Sequence, residues 1–389
     1  MSGTHYGPIE MIERLVSFDT TSRESNLALI HFVRDYLASL GVDSTLIHDE
    51  TGNKANLYAT VGPRDVPGIA LSGHTDVVPV DGQPWNTDPF SLVEKDGRLY
   101  GRGTSDMKSF SAIALALVPE FLARPLKTPI HFALSFDEEV GCLGAPLMID
   151  RLGSDLGVRP HIVIVGEPTS MAVVNAHKGV YSFRTHVRGL EVHSSATHLG
   201  VNAVQHAATL VHFLTEIADE MAARAEPESG FDPPYTTVHV GTMQGGTAQN
   251  IVPLDCRFTW EYRLMPGADP DEIRERFERF AEESVLPRMH AVDPGTGITT
   301  EPRAVVPGLV PEDGSPAEAI VMALARTNQT EVVAYGTEAG QFQEAGIPTV
   351  ICGPGSIRQA HQPNEYIELS EVRACEAFMR RLLDEVCAA

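Results

Sequence analysis

The stretch that most restricts this chain is the apolar run that begins at Ile69 and ends on Leu71-Ser72-Gly73-His74-Thr75-Asp76. A short, continuous apolar run reads as a buried strand, and buried strands belong to layered α/β sheets. His74 and Asp76 are two positions apart, so on an extended backbone they project to the same face. A metal-bound imidazole usually has its second nitrogen held by a carboxylate or carbonyl, which makes Asp76 a candidate partner for His74. Taken alone, the pair reads equally as a solvated His and Asp at a strand end.

The surrounding chain repeats the pattern. Pro8 to Phe18 and Ser25 to Leu40 have helical apolar spacing, the second ending at Gly41. Val42 to Ile47 and Asn56 to Val61 alternate as strands, Phe110 to Val118 reads as an apolar helix, and Ile130 to Phe136 and Ile162 to Val165 read as further strands. Repeated strand and helix with apolar strands implies an α/β domain, in which ligand sites gather at the carboxyl ends of strands.

Acidic residues stand at those ends. Asp137-Glu138-Glu139 follows the Ile130 strand, Gly166-Glu167 follows the Ile162 strand, and His361 follows an apolar strand at Thr349 to Cys352. Asp106 lies in Gly101-Arg102-Gly103-Thr104-Ser105-Asp106, a glycine-rich turn that lacks the completion of a phosphate-binding loop. Acidic runs are usually solvated faces. Adjacent carboxylates after a buried strand make sense where a cation absorbs their charge, or where one of them is a base beside it. Two histidines among carboxylates suit zinc, cobalt or manganese better than calcium, and two metals would need a bridge, for which Asp106 is the candidate.

Size and charge narrow the function. At 389 residues the chain reads as two domains, and 43% hydrophobic residues suffice for real cores. A formal net charge of -23 argues against nucleic acid and against an anionic membrane surface. The five cysteines are odd in number and form no Cys-x-x-Cys, which points to a reducing cytoplasm. The N-terminus lacks a basic stretch followed by an apolar run, and no apolar segment approaches the ~20 residues that span a bilayer. A cytoplasmic protein is expected.

With these residues in place, the chain resembles the zinc-dependent M20 family of amidohydrolases and peptidases. The motifs that carry the likeness are Gly73-His74-Thr75-Asp76-Val77-Val78-Pro79, Tyr100 to Lys108, Glu138-Glu139, Gly166-Glu167-Pro168-Thr169 and Gln359-Ala360-His361-Gln362-Pro363. The resemblance implies His74, Asp106 and Glu167 as ligands of one metal and Asp106, Glu139 and His361 as ligands of the other. It makes Glu138 the general base and Asp76 the residue that orients His74. It further implies a cis peptide at Asp106-Met107, a zinc-peptidase-like catalytic domain with a mixed central sheet, two divalent cations with zinc first and cobalt as the alternative, and a small N-acyl amino acid as substrate.

From Lys178 the pattern changes to strand (Gly179 to Val187), helix (Asn202 to Ile217), two strands (Thr236 to Thr242, Asp255 to Leu264) and an amphipathic helix (Asp269 to Glu283). This reads as an inserted α+β domain over 180–306, with 1–179 and 307–389 forming the catalytic domain. The family uses such an insertion, ferredoxin-like in fold, as a lid and for homodimerisation. Gly189 to Ser195 resembles the family's histidine motif, which implies that His193 reaches the partner's active site; neither Ser194 nor Ser195 stands in Gly-x-Ser-x-Gly. Gly245 to Pro253 matches a family loop and makes Asn250 a polar contact to substrate. Arg263 is placed to clamp a substrate carboxylate in bidentate fashion. Gly336 and Thr337 match the substrate-side loop, and Glu338 is a candidate partner for a cationic side chain. Thr197, where the family often has proline, and Ser109, where glycine is common, depart from the pattern.

Overall fold

The computed structural model describes residues 5–388. The chain divides into two compact units, one built from the residues up to Ala176 with Leu309–Val332 and the residues from Thr337 on, the other from His177–Gly308 with Val333–Gly336.

The first unit is organised on an eight-stranded sheet. Its order is Ser44–His48, Ala55–Val61, Ile130–Ser135, Ile69–His74, Ile162–Pro168, Thr349–Gly353, Val174–His177 and Glu331–Val333. The strands Ile130–Ser135, Ile69–His74, Ile162–Pro168 and Thr349–Gly353 run parallel, while Ala55–Val61 and Val174–His177 pair with them antiparallel, so the sheet is mixed. All four parallel strands are buried along their whole length, which is why each reads as an apolar run in the sequence. Their carboxyl ends lie side by side. The helix Lys108–Ala116 is buried at every position and belongs to the main apolar core, with its polar residues Lys108, Ser109 and Ser111 in its first turn. Close approach is needed where Phe110 of this helix meets the sheet, because a Cβ on Gly166 would lie 2.1 Å from the Phe110 ring.

In the second unit the chain runs strand Gly179–Arg188, helix Ala203–Ala223, strands Thr237–Gly245 and Asp255–Leu264, helix Glu272–Phe280, and strand Gly297–Val306. The sheet is antiparallel throughout, in the order Thr237–Gly245, Asp255–Leu264, Gly179–Arg188, Gly297–Val306. Alternate residues of the two central strands face the helices, where Phe183 stacks on Trp260 at 4.5 Å and Trp260 meets Phe277 at 4.6 Å. The helix expected to end at Ile217 continues to Ala223, and its start is set by Asn202, whose side chain accepts the Gln205 N–H at 3.0 Å. The strand Gly297–Val306 is absent from the sequence reading. It is an edge strand, interrupted at its middle by Pro302 and by a register shift between Pro302 and Ala304, which breaks its alternation into short pieces. Among the described residues, no helix is long and apolar enough to cross a membrane.

Candidate metal centre

The four parallel strands of the first unit bring their terminal residues to one place. His74 ends its strand with Nε2 2.9 Å from Asp106 Oδ1 and 3.6 Å from Glu167 Oε1. The other oxygen of Asp106, Oδ2, lies 3.2 Å from His361 Nε2, and that same nitrogen lies 3.0 Å from Glu139 Oε2. One aspartate thus presents each of its oxygens to a different imidazole. The result is two ligand groups that share Asp106: His74, Asp106, Glu167 and Asp106, Glu139, His361, with the donor atoms of each within 4.8 Å of one another. The Asp106–Met107 peptide is cis.

The electrostatics of this cluster call for positive charge. Burial and the adjacent Glu139 and Asp106 carboxylates push Glu138 up to about 8, although His74 opposes the shift. Burial, reinforced by Asp106, pushes Glu139 up to about 7, and the same causes raise Glu167 well above the usual carboxylate range. Burial works against a charged His74, yet Asp106 and Asp76 outweigh it and hold the imidazole well above its ordinary value. Bonds to Asp106 and Glu139 push His361 up to about 10. Protons are thus drawn onto a crowded, water-poor set of acids and imidazoles. Glu167 Oε1 in particular is buried with no hydrogen-bond partner, a costly state for a carboxylate oxygen. Nitrogen and oxygen donors in two groups of three with a shared carboxylate fit a pair of divalent cations of the zinc class.

Asp76 meets His74 through its backbone as well as its side chain. The imidazole Nδ1 lies 2.9 Å from the backbone carbonyl of Asp76 and 3.6 Å from its carboxylate. The carboxylate also accepts from Ser22 Oγ at 2.7 Å and from the backbone N–H groups of Glu138 and Glu139 at 3.1 and 3.3 Å. It fixes the acidic loop, and Ser22, which has no distinguishing pattern in the sequence, fixes it.

Glu338 is committed within the fold. It is buried, with its two oxygens accepting from Ser72 Oγ at 2.6 Å and Ser135 Oγ at 2.7 Å. The carboxylate cross-links the two strands that end at the site and is not presented to a cationic side chain. Thr337 is fully buried and its hydroxyl accepts the Ala339 N–H at 3.0 Å, which commits it to the first turn of the helix Ala339–Glu344.

The remaining candidates belong to the second unit. His193 Nδ1 and Ser195 Oγ lie 2.8 Å apart, and the carbonyl of Asn250 accepts the Ser194 N–H at 3.0 Å, so His193 and Asn250 stand on neighbouring backbone. Arg263 is half-buried and its Nε donates to Glu261 Oε1 at 3.1 Å. Gly336 is fixed by packing, since a Cβ there would meet Val180 at 2.4 Å.

A buried, carboxylate-bridged pair of ligand groups at the ends of parallel strands defines a metallohydrolase centre. Residues 70–385 match the peptidase family M20/M25/M40, and the chain belongs to that family of metal-dependent hydrolases. It is 36% identical over 387 residues to the acetylornithine deacetylase of Myxococcus xanthus, covering 97% of this chain and 96% of the relative. With the acetylornithine deacetylase of Proteus mirabilis (strain HI4320) it shares 34% identity over 373 residues, covering 95% and 93%. In fold it is similar to the M20 family metallo-carboxypeptidase Sso-CP2 from Sulfolobus solfataricus, with a TM-score of 0.77 at 18% identity over 98% of this chain and 99% of that one.

Proposed function

We propose that this chain hydrolyses the amide of N2-acetyl-L-ornithine to give L-ornithine and acetate, a step that supplies ornithine for arginine biosynthesis, with zinc as the working cation and cobalt as its substitute. The observation that carries this reading is the Asp106 carboxylate divided between His74 and His361; the choice of substrate follows the acetylornithine deacetylases with which the chain is aligned nearly end to end.

His74, Asp106 and Glu167 hold one cation and Asp106, Glu139 and His361 the other. When bound, the pair acidifies a water and polarises the amide carbonyl. Glu138, next to Glu139 and in neither ligand group, takes a proton from the attacking water and returns it to the leaving nitrogen. Asp76 keeps Glu138 in place through its backbone N–H. In the second unit, Arg263 binds the substrate α-carboxylate in exchange for Glu261, Asn250 adds a polar contact, and the Gly336 backbone borders the substrate. His193 donates to the developing oxyanion of the partner subunit in a homodimer. Residues 180–306 are the lid and dimerisation domain of this reading; their strand and helix order, with the second and third strands adjacent in sequence, supports a ferredoxin-like fold for it. The compartment is the cytoplasm.

The test is a turnover panel on zinc- and cobalt-loaded protein with N2-acetyl-ornithine, N-succinyl-diaminopimelate, acetyl-methionine and small dipeptides. Preference for acetyl-ornithine is expected. Preference for the succinyl substrate or for acetyl-methionine would make the chain a desuccinylase or aminoacylase on the same metal centre, and absence of all turnover would make it a binding relative.

A further inference from the structure

Glu365 stands four positions beyond His361, and its side chain is fully buried. A carboxylate withdrawn from water needs its charge met by donors. Here four donors meet it: Oε1 accepts the backbone N–H groups of Ser105 at 2.7 Å and Asp106 at 3.1 Å, and Oε2 accepts that of Gly103 at 3.1 Å and Arg102 Nη1 at 2.7 Å. All four belong to the turn that delivers Asp106, three of them as backbone N–H groups.

The same guanidinium continues to the other side of the site. Arg102 Nη2 donates to Gln83 Oε1 at 2.7 Å, and Gln83 Nε2 donates to the backbone carbonyl of His361 at 3.0 Å. A hydrogen-bonded circuit therefore joins the backbone behind Asp106 to the backbone behind His361. His361 depends on such a hold. Its φ is +63°, a left-handed conformation uncommon outside glycine, its side chain is 51% exposed, and it lies in a loop. His74 and Glu167, by contrast, sit within strands fixed by parallel pairing.

We propose that Glu365 is a positioning residue which, through Arg102 and Gln83, holds His361 against Asp106 and so sets the affinity of the Asp106–Glu139–His361 metal position more strongly than that of the His74–Asp106–Glu167 position. The proposal rests on the two-cation reading of the site. Metal ligands tolerate displacements of only about 0.2 Å, so a loop released from this circuit loses its metal before it loses its fold.

The experiment titrates metal-free, full-length protein with cobalt, following visible absorption and the metal retained after gel filtration. It compares the unaltered chain with Glu365→Gln, which sets an amide N–H against backbone donors, and with Gln83→Ala, a half-exposed position whose loss breaks only the link to His361. The unaltered chain takes up two equivalents. Gln83→Ala keeps the first equivalent within about twofold, and both variants bind the second at least ~10-fold more weakly, the range known for residues that support metal ligands. Two equivalents of undiminished affinity in both variants overturn the positioning role, as does equal weakening of both positions in Gln83→Ala. If Glu365→Gln does not fold, Gln83→Ala decides by the same outcomes. Fewer than two equivalents in the unaltered chain overturn the two-cation reading, and the proposal with it.

Discussion

The carboxylate of Asp76 accepts the backbone N–H of Glu138 through Oδ1 at 3.1 Å. The aspartate that follows the histidine strand is therefore the anchor of the proposed base. With Glu139 N–H and Ser22 Oγ on its other oxygen, Asp76→Asn replaces one acceptor by a donor facing donors. Turnover is expected to fall ~10- to 100-fold, as for other residues that support a metal site, with the far-ultraviolet circular dichroism unchanged. A rate within a factor of about two of the unaltered chain would remove Asp76 from the machinery.

Glu138 belongs to neither ligand group. Glu138→Gln should retain both cations and the fold while turnover drops by ~100-fold or more, the usual contribution of a positioned acid–base group. Metal content and rate are measured on the same sample. Near-normal turnover with two cations bound would deny Glu138 its proton-transfer role.

Glu338 has a different purpose. It ties Ser72 to Ser135 beneath the site, and Glu338→Ala leaves the Ser135 hydroxyl buried without this acceptor and Ser72 with only the Ala133 carbonyl at 3.4 Å. The expected loss is roughly 3 kcal/mol of unfolding free energy, read from urea denaturation of the metal-free protein. An unchanged midpoint would show that this cross-link contributes nothing to stability.

His131 gives a pH signature. Burial pushes it down to about 4 from an ordinary 6.5, and its Nε2 has no hydrogen-bond partner while Nδ1 meets Thr60 Oγ1 at 3.0 Å. The unfolded chain takes up this proton first, near pH 6.5, so the stabilisation is fully present above that pH and is lost as pH falls toward 4. The displacement corresponds to on the order of 3 kcal/mol. His131→Gln should flatten the pH dependence of unfolding between those limits by a comparable amount; an unaltered slope would place the imidazole in contact with water.

The strands that carry the candidate centre are legible in the sequence because they are buried on both faces and so appear as apolar runs that stop abruptly on His74, Glu138-Glu139 or Glu167, whereas the division of these residues into two ligand groups follows from the family motifs. What fixes those residues was not readable. Glu365 meets Arg102 across a long sequence separation, and an arginine in a glycine-rich turn carries no mark of its partner. Strand periodicity pairs Asp76 with His74, but it carries no sign that the backbone carbonyl of Asp76 lies nearer the imidazole than its carboxylate does, at 2.9 against 3.6 Å. The edge strand Gly297–Val306 is broken by Pro302 and a register shift, so its alternation is too short to read.

The most direct measurement of the central claim is the rate of acetyl-ornithine hydrolysis as zinc or cobalt is added stepwise to chelator-treated protein. The rate should be negligible without metal, reach its plateau at two equivalents per chain, and vanish again on chelation. Hydrolysis that is indifferent to chelation, or a plateau at one equivalent, would contradict a reaction shared between two cations bridged by Asp106.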